Sequence, residues 1–137
     1  MNLYILFYLF DIKKVFYNKP IENKIKYYNN FYKLLYNESK YTIQSLLLWI
    51  PNDYIILDQD NYIHINEYGM KKMVQIEESI LNNINLILNK KIELSIYNEC
   101  RKKKHLLENG QCNLILRISG IWESYDKIGI TYKFILQ

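Results

Sequence analysis

The segment from Cys112 to Gln137 constrains the fold most, because its apolar residues recur at every second position in two stretches joined by a short polar link. This period is typical of β-strands with one buried and one wet face, so we predict a C-terminal β-hairpin. Arg117 and Lys133 fall on the wet face, and Gly120 predicts a bulge. The wet face also takes Asn113, Ile115, Ser119, Thr131 and Ile135; the core face takes Cys112, Leu114, Leu116, Ile118, Ile130, Tyr132, Phe134 and Leu136.

A helical pattern from about residue 67 to 89 predicts one long amphipathic helix before the hairpin. Asn66 can cap its N-terminus, and Glu67 falls in the first turn, where the helix dipole favours an acid. Glu77 interrupts the apolar stripe. The stripe consists of Met70, Met73, Val74, Ile80, Leu81, Ile84, Ile87 and Leu88.

Apolar and aromatic runs bounded by turn residues predict further strands. We expect 25–36 and 41–50 to form a hairpin around a polar turn, although a helix is the alternative for 24–36. The predicted strands are 3–17 (one strand or two), 25–36, 41–50, 54–57, 62–65 and 92–97.

This order of elements predicts a single domain over residues 1–137 of the α+β class, mostly β. We expect a small curled antiparallel sheet or a barrel like the oligonucleotide/oligosaccharide-binding (OB) fold, with the long helix preceding the hairpin. A sheet with a helix on one face is the alternative.

The amino-acid composition indicates the source genome and the cellular compartment more clearly than the function. Ile, Asn, Lys and Tyr dominate and Ala is absent, as in an AT-rich genome, and the net charge of +4 permits nucleic-acid binding without requiring it. Two cysteines suggest no disulfide framework, so we expect a reducing, intracellular compartment. The apolar run from Leu3 to Phe10 is too short to span a bilayer, and we expect a soluble protein; a signal-like segment is the alternative to a buried first strand.

Cations and aromatic residues of the hairpin suggest a binding surface. Arg117, Lys133, Trp122 and Tyr125 could contact phosphates and stack on bases of a single strand. The run Arg101, Lys102, Lys103 and Lys104 could contact phosphates from a loop. The alternatives are a core position for Trp122, a solubilising role for Arg117 and Lys133, and a solvated loop or sorting signal for the run.

Metal binding and catalysis have weaker support. Cys100, His105 and Cys112 match no compact zinc module, and Asp58 and Asp60 are ordinary turn residues. The sequence contains no P-loop, dinucleotide fingerprint, nucleophile elbow or HExxH motif. We therefore expect no metal, no cofactor and no enzyme activity.

The closing segment, LRISGIWESYDKIGITYKFI, resembles the C-terminal pattern of small conserved proteins of nucleocytoplasmic large DNA viruses. The matching positions are Ser119, Gly120, Ile121, Trp122 and Glu123, then Gly129, Thr131, Tyr132, Lys133 and Phe134. Some large DNA viruses encode OB-type single-stranded-DNA-binding proteins, so the resemblance implies a role beside viral DNA, in the host cytoplasm or virus factory. Such replication proteins often have an acidic tail, whereas this sequence ends in KFILQ.

Two functions follow as hypotheses. The first is a non-enzymatic single-stranded nucleic-acid-binding protein, acting in viral DNA replication or maintenance. The second is a small viral structural or adaptor protein that contacts a protein partner, or a second copy of itself, through exposed tyrosines and an edge strand.

Overall fold

A computed structural model describes residues 4–22, 30–38, 41–108 and 110–137. Strands dominate, with one long helix and one short helix. The strands are β1 (Tyr4–Leu6), β2 (Val15–Tyr17), β3 (Ile21–Glu22), β4 (Asn30–Glu38), β5 (Tyr41–Ile43), β6 (Leu46–Ile50), β7 (Ile55–Leu57), β8 (Tyr62–Ile65), β9 (Lys91–Ile92), β10 (His105–Leu106), β11 (Leu114–Glu123) and β12 (Lys127–Leu136). The helices are α1 (Glu67–Leu88) and α2 (Ser95–Cys100).

The predicted C-terminal hairpin is confirmed as the centre of the main sheet. β11 and β12 pair antiparallel along nearly their whole length, and the register shifts between Ile118 and Gly120, which is the predicted bulge. One edge of β11 is shared by two strands: β6 pairs with its first half and β4 with its second half. The bulge therefore lies where β11 changes neighbour.

The predicted hairpin of 25–36 with 41–50 is only partly correct. Residues 23–29 lie outside the described part, and 30–38 is a strand, but its pairing with the following segment covers only Tyr36–Glu38 and β5. Ser45 then adopts a left-handed φ of 127°, and the chain leaves β4. β6 pairs instead with β11 and, in parallel, with β1. Long-range pairing thus outweighs the local hairpin after Ile43.

A second, three-stranded sheet contains β7, β8 and β10. The predicted strands at 54–57 and 62–65 are thereby confirmed as an antiparallel pair. β10 joins the other edge of β8.

The long helix is confirmed, with a correction to its apolar face. The Asn66 side chain accepts a hydrogen bond from the Gly69 amide (2.8 Å), and Asn89 ends the helix in a left-handed conformation. Ile87, predicted to lie in the stripe, is 85% exposed, whereas the next residue, Leu88, packs against the core. Glu77 is fully buried.

The predicted strand at 92–97 is wrong beyond Ile92. The segment forms the short helix α2, and the buried Glu77 carboxylate explains why: it accepts hydrogen bonds from the amides of Ile96 (2.8 Å) and Tyr97 (3.1 Å). A partner distant in sequence thus satisfies the amides that the first turn of a helix leaves unpaired. Local alternation contains no information about that partner.

The layers of the molecule define two faces of the main sheet. The inner face packs against α1 and α2 and forms the core, which includes Leu114, Leu116, Ile118, Ile128 and Ile130. The outer face has no helix packed on it within the described residues. No helix in the described ranges is long and apolar enough to cross a membrane.

The fold is therefore α+β and mostly β, as predicted. Two pairings of the main sheet are parallel, β1 with β6 and β9 with β12, so the expectation of a wholly antiparallel sheet needs correction. The main path runs β1-β6-β11-β12-β9, and no pairing between β1 and β9 closes it among the described residues.

Candidate functional site

The outer face of the main sheet, called here the open face, combines cations with aromatic rings. Side chains of residues paired across strands lie on the same side of a sheet, so the register identifies its rows. One row contains Tyr4, Leu47, Arg117 and Lys133, and the next contains Leu6, Trp49, Ile115 and Ile135. The predicted wet face of the hairpin is thus confirmed, except that neighbours cover Ile115 completely.

Arg117 and Lys133 lie directly opposite each other on β11 and β12. Both are exposed, and neither forms an ion pair or a side-chain hydrogen bond within the described part of the chain. Like charges directly opposite in a sheet repel each other. An anion placed between or above these two side chains would relieve that repulsion.

A third cation lies on β4, beyond the bulge. Lys33 pairs with Gly120, and its ammonium donates a hydrogen bond to the side-chain oxygen of Gln44 (3.0 Å), a neutral partner. Its charge therefore remains uncompensated by a carboxylate in the described structure. Arg117, Lys133 and Lys33 thus lie on the open face, each on a different strand. By the same register, Lys127 of β12 and Lys91 of β9 also lie on this side of the sheet.

Two aromatic rings lie on the same face over glycines. The ring of Phe31 lies against Gly120, and the indole of Trp122 lies against Gly129. A Cβ atom at either glycine would come within 3 Å of those ring atoms, and at Gly120 also of the Tyr32 backbone oxygen, so each ring can pack this close only because the glycine has no side chain. This contact gives a physical reason for both glycines.

Tyr4 and Trp49 extend the aromatic surface at the far edge of the sheet. Their rings meet edge to face at a centroid distance of 5.8 Å, and Tyr4 is 39% exposed. Sequence reasoning missed Tyr4, Phe31, Lys33 and Trp49 as site residues. Leu47 and Trp49 do alternate with buried neighbours in β6, but assigning them to the open face requires knowing that β6 pairs with β11.

The aromatic residues of the hairpin differ in their position and exposure. Tyr125 lies at the hairpin turn and is 89% exposed, whereas Trp122 is half-buried. Tyr132 lies on the inner face, as predicted, and its hydroxyl donates to the Ser95 carbonyl (3.4 Å). Burial raises the pKa of Tyr132 well above its usual value.

The run Arg101, Lys102, Lys103 and Lys104 is exposed but lies away from the open face. It follows α2, and the next residue, His105, packs its ring against Phe134 on the inner face (4.9 Å). Lys104 pairs with Asp58 (3.4 Å) and Lys103 with Glu99 (4.0 Å). The structure therefore does not bring this cluster together with Arg117, Lys133 and Trp122.

Glu123, within the SGIWE segment, anchors the end of β11 beneath the open face. Its carboxylate accepts hydrogen bonds from Asn30 (2.8 Å) and the Tyr32 hydroxyl (3.0 Å) and pairs with Lys90 (2.9 Å). Burial raises the pKa of this carboxyl, but the three donors outweigh burial and hold it below its ordinary value. The same contact and burial raise the pKa of Tyr32 to about 12.

Groups that could carry metal or nucleophilic chemistry are dispersed. Cys100 is buried, which raises the pKa of its thiol to about 12, while Cys112 is exposed. Asp58 accepts hydrogen bonds from the amides of Asp60 (2.8 Å) and Tyr62 (3.1 Å), so it closes a turn. Within the described ranges, no group of three His, Cys, Asp or Glu side chains could hold a metal ion.

Comparison of the chain with protein families, with curated protein sequences and with solved structures gave no match.

Proposed function

We propose that the protein binds single-stranded nucleic acid along the open face, without catalysing a reaction. The observation that carries the proposal is the facing pair Arg117 and Lys133, exposed and without an anionic partner in the described residues, on the same surface as Phe31, Trp49 and Trp122. Cations that follow phosphates and rings that stack on bases are the two features such binding needs.

A single strand fits this surface better than a duplex. The rings pack against glycines of the sheet and could stack only on bases that are not already stacked in a duplex. A net charge of +4 also falls short of the strongly basic surface of a dedicated duplex binder. Each stacked base would contribute about 1–3 kcal/mol, so two rings would provide useful affinity.

The resemblance of the hairpin to proteins of large DNA viruses suggests the setting. Trp122, Gly120 and Gly129 belong to the resembling segment, and they form the ring-on-glycine contacts of the open face. A role in the replication or maintenance of viral DNA would give this surface its ligand. The proposal for the setting depends on that resemblance, whereas the proposal for binding depends on the open face.

Binding to labelled oligo-dT at several salt concentrations tests the proposal. Three neutralised phosphates predict a log–log salt slope of about −2, because each contributes about −0.7 on a single strand. Arg117→Ala should reduce the slope by about 0.7. Lys71→Ala, an exposed cation of α1, is the matched control and should leave the slope unchanged. Absence of salt-sensitive binding below roughly 10 µM would exclude the proposal.

A second candidate function is self-association as a structural or adaptor protein. β1 pairs only with β6 among the described strands, and Tyr4, Leu6, Tyr8 and Leu9 beside this edge are all exposed. An unpaired apolar edge can add a strand from a second copy. Light scattering over a range of concentrations tests this role, and a monomer throughout would contradict it.

A further inference from the structure

A cavity of about 550 Å³ lies beside Trp122, at the edge of the open face. β9 pairs with β12 only at Lys127 and Ile128, and the Glu93 amide donates to the Ile128 carbonyl (2.9 Å) before the chain turns into α2. Beyond this point, β12 has no strand on that side in the described structure. The cavity occupies the place where β9 would have continued.

The chemistry of the cavity is polar around one aromatic surface. Because the Ile128 carbonyl points towards β9, the backbone groups of Ile130 and Tyr132 point the same way, into the cavity. The complete lining is Glu93, Ser95, Trp122, Ser124, Asp126, Lys127, Ile130, Thr131 and Tyr132. This volume lies within the range of about 300–1,000 Å³ for small-ligand sites.

The lining contains three charged side chains, Glu93, Asp126 and Lys127, and the Glu93 carboxylate is the one considered for base recognition. It forms no hydrogen bond or ion pair with another described side chain, whereas Asp126 accepts a long contact from the Ser124 hydroxyl (3.5 Å). An ionised carboxylate offers two acceptor oxygens and no donor. It would repel a phosphate but can accept hydrogen bonds from the edge of a base.

We infer that this cavity is a base-recognition pocket that selects guanine. The inference rests on the proposed function, because the strand must first lie on the open face. In this assignment a base stacks against Trp122 and turns its Watson–Crick edge towards Glu93, since both residues line the same cavity. Guanine presents two adjacent donors there, N1–H and the N2 amino group, and these match the two oxygens of one carboxylate.

The other bases match the carboxylate less well. Adenine and cytosine place an amino donor beside a ring nitrogen that only accepts, and thymine places one N–H between two carbonyls. Each would leave an acceptor facing a carboxylate oxygen. A carboxylate therefore discriminates through both attraction to guanine and repulsion of its competitors.

The test compares three oligonucleotides that differ at one position: all dT, dT with one central deoxyguanosine, and dT with one central deoxyinosine. Inosine retains N1–H and lacks the N2 amino group. The deoxyguanosine oligonucleotide should bind about tenfold more tightly than all dT, as expected for a bidentate contact, and deoxyinosine should recover only part of that gain.

Glu93→Gln should abolish the preference for deoxyguanosine, because an amide replaces one acceptor oxygen with a donor. Glu108→Gln removes an exposed carboxylate outside the cavity and should retain it. If the Glu93→Gln protein binds every oligonucleotide more tightly and keeps the preference for deoxyguanosine, Glu93 acts only by repelling phosphates. That result would overturn the inference. Equal binding of the three oligonucleotides by the parent protein also overturns it, while absence of binding to all three overturns the proposed function itself.

Discussion

The two faces of the β11–β12 hairpin carry charge in opposite ways. On the inner side, the buried Glu123 carboxylate has a cation and two neutral donors within 3.0 Å. On the outer side, Arg117 and Lys133 oppose each other, both exposed and with no acidic partner in the described residues. The same two strands thus contain Glu123, whose charge is neutralised within the protein, and Arg117 and Lys133, whose charges are not.

Because of this difference, we expect charges on the inner side to contribute to stability and charges on the outer side to contribute to binding. Breaking a buried ion pair leaves a charge without solvent or partner, so the inner side should respond to mutation with large losses of folding free energy. An opposed like-charge pair destabilises a sheet by about 0.2–1 kcal/mol, so the outer side should respond with small gains. Mutations on the two faces should therefore change stability with opposite signs.

The largest effect should come from Glu123→Ala. Removing the carboxylate leaves Lys90 partly buried without its anion and leaves the donors of Asn30 and Tyr32 unpaired. We expect a loss of about 3–5 kcal/mol in the free energy of unfolding, measured by urea denaturation.

A surface ion pair provides the matched control for this loss. Glu38→Ala breaks the pair with Lys14 (3.1 Å), whose two side chains are about one third exposed. Such pairs contribute little to stability, because solvent screens their charges. If both substitutions cost the same, Glu123 does not anchor the hairpin in the way its burial and partners indicate.

The next effect concerns Glu77, the second buried carboxylate of the inner side. It has two amide donors but no cation, and burial raises its pKa to about 7. Since its pKa is higher in the folded than in the unfolded state, its contribution is fully present below about pH 4.5 and is lost as the pH rises through about 7. Unfolding free energy should therefore fall by about 1–3 kcal/mol between pH 5 and 8.

Comparison with Glu77→Gln isolates this contribution, because the amide does not titrate. His105 contributes with the opposite sign, since burial lowers its pKa, and it remains in both proteins. Glu108→Gln, an exposed carboxylate whose charge does not act on Glu77, should retain the pH dependence. If the parent and Glu77→Gln proteins have parallel pH profiles, Glu77 titrates as an ordinary surface carboxyl.

Features with a local cause could be predicted from the sequence. The period of two in the hairpin, the bulge at Gly120 and the N-cap of α1 at Asn66 depend on residues close in sequence. α2 depends instead on Glu77, nearly a full helix earlier in the chain, and its own residues give no sign of it. The prediction of a strand there failed for that reason.

The candidate site also contains residues that the sequence could predict and residues that it could not. The wet-face positions of Arg117 and Lys133 follow from alternation, and they were predicted. Phe31 and Trp49 join them only because β4 and β6 share one edge of β11, a long-range pairing that no local pattern reveals. The densest run of cations, at 101–104, lies away from the open face, so the two candidate surfaces predicted from the sequence are separate.

The smallest effect on stability should be the most diagnostic. Arg117→Ala removes half of the opposed pair, so we expect the free energy of unfolding to rise by up to about 1 kcal/mol while affinity for oligo-dT falls about tenfold. Lys103→Ala, in a cluster whose cations have acidic or aromatic neighbours, should change either quantity by much less. If Arg117→Ala raises the free energy of unfolding and lowers the affinity for oligo-dT, then the outer face serves binding and the inner face serves stability. If Arg117→Ala instead destabilises the fold and leaves affinity intact, the outer face is structural and the comparison between the faces fails.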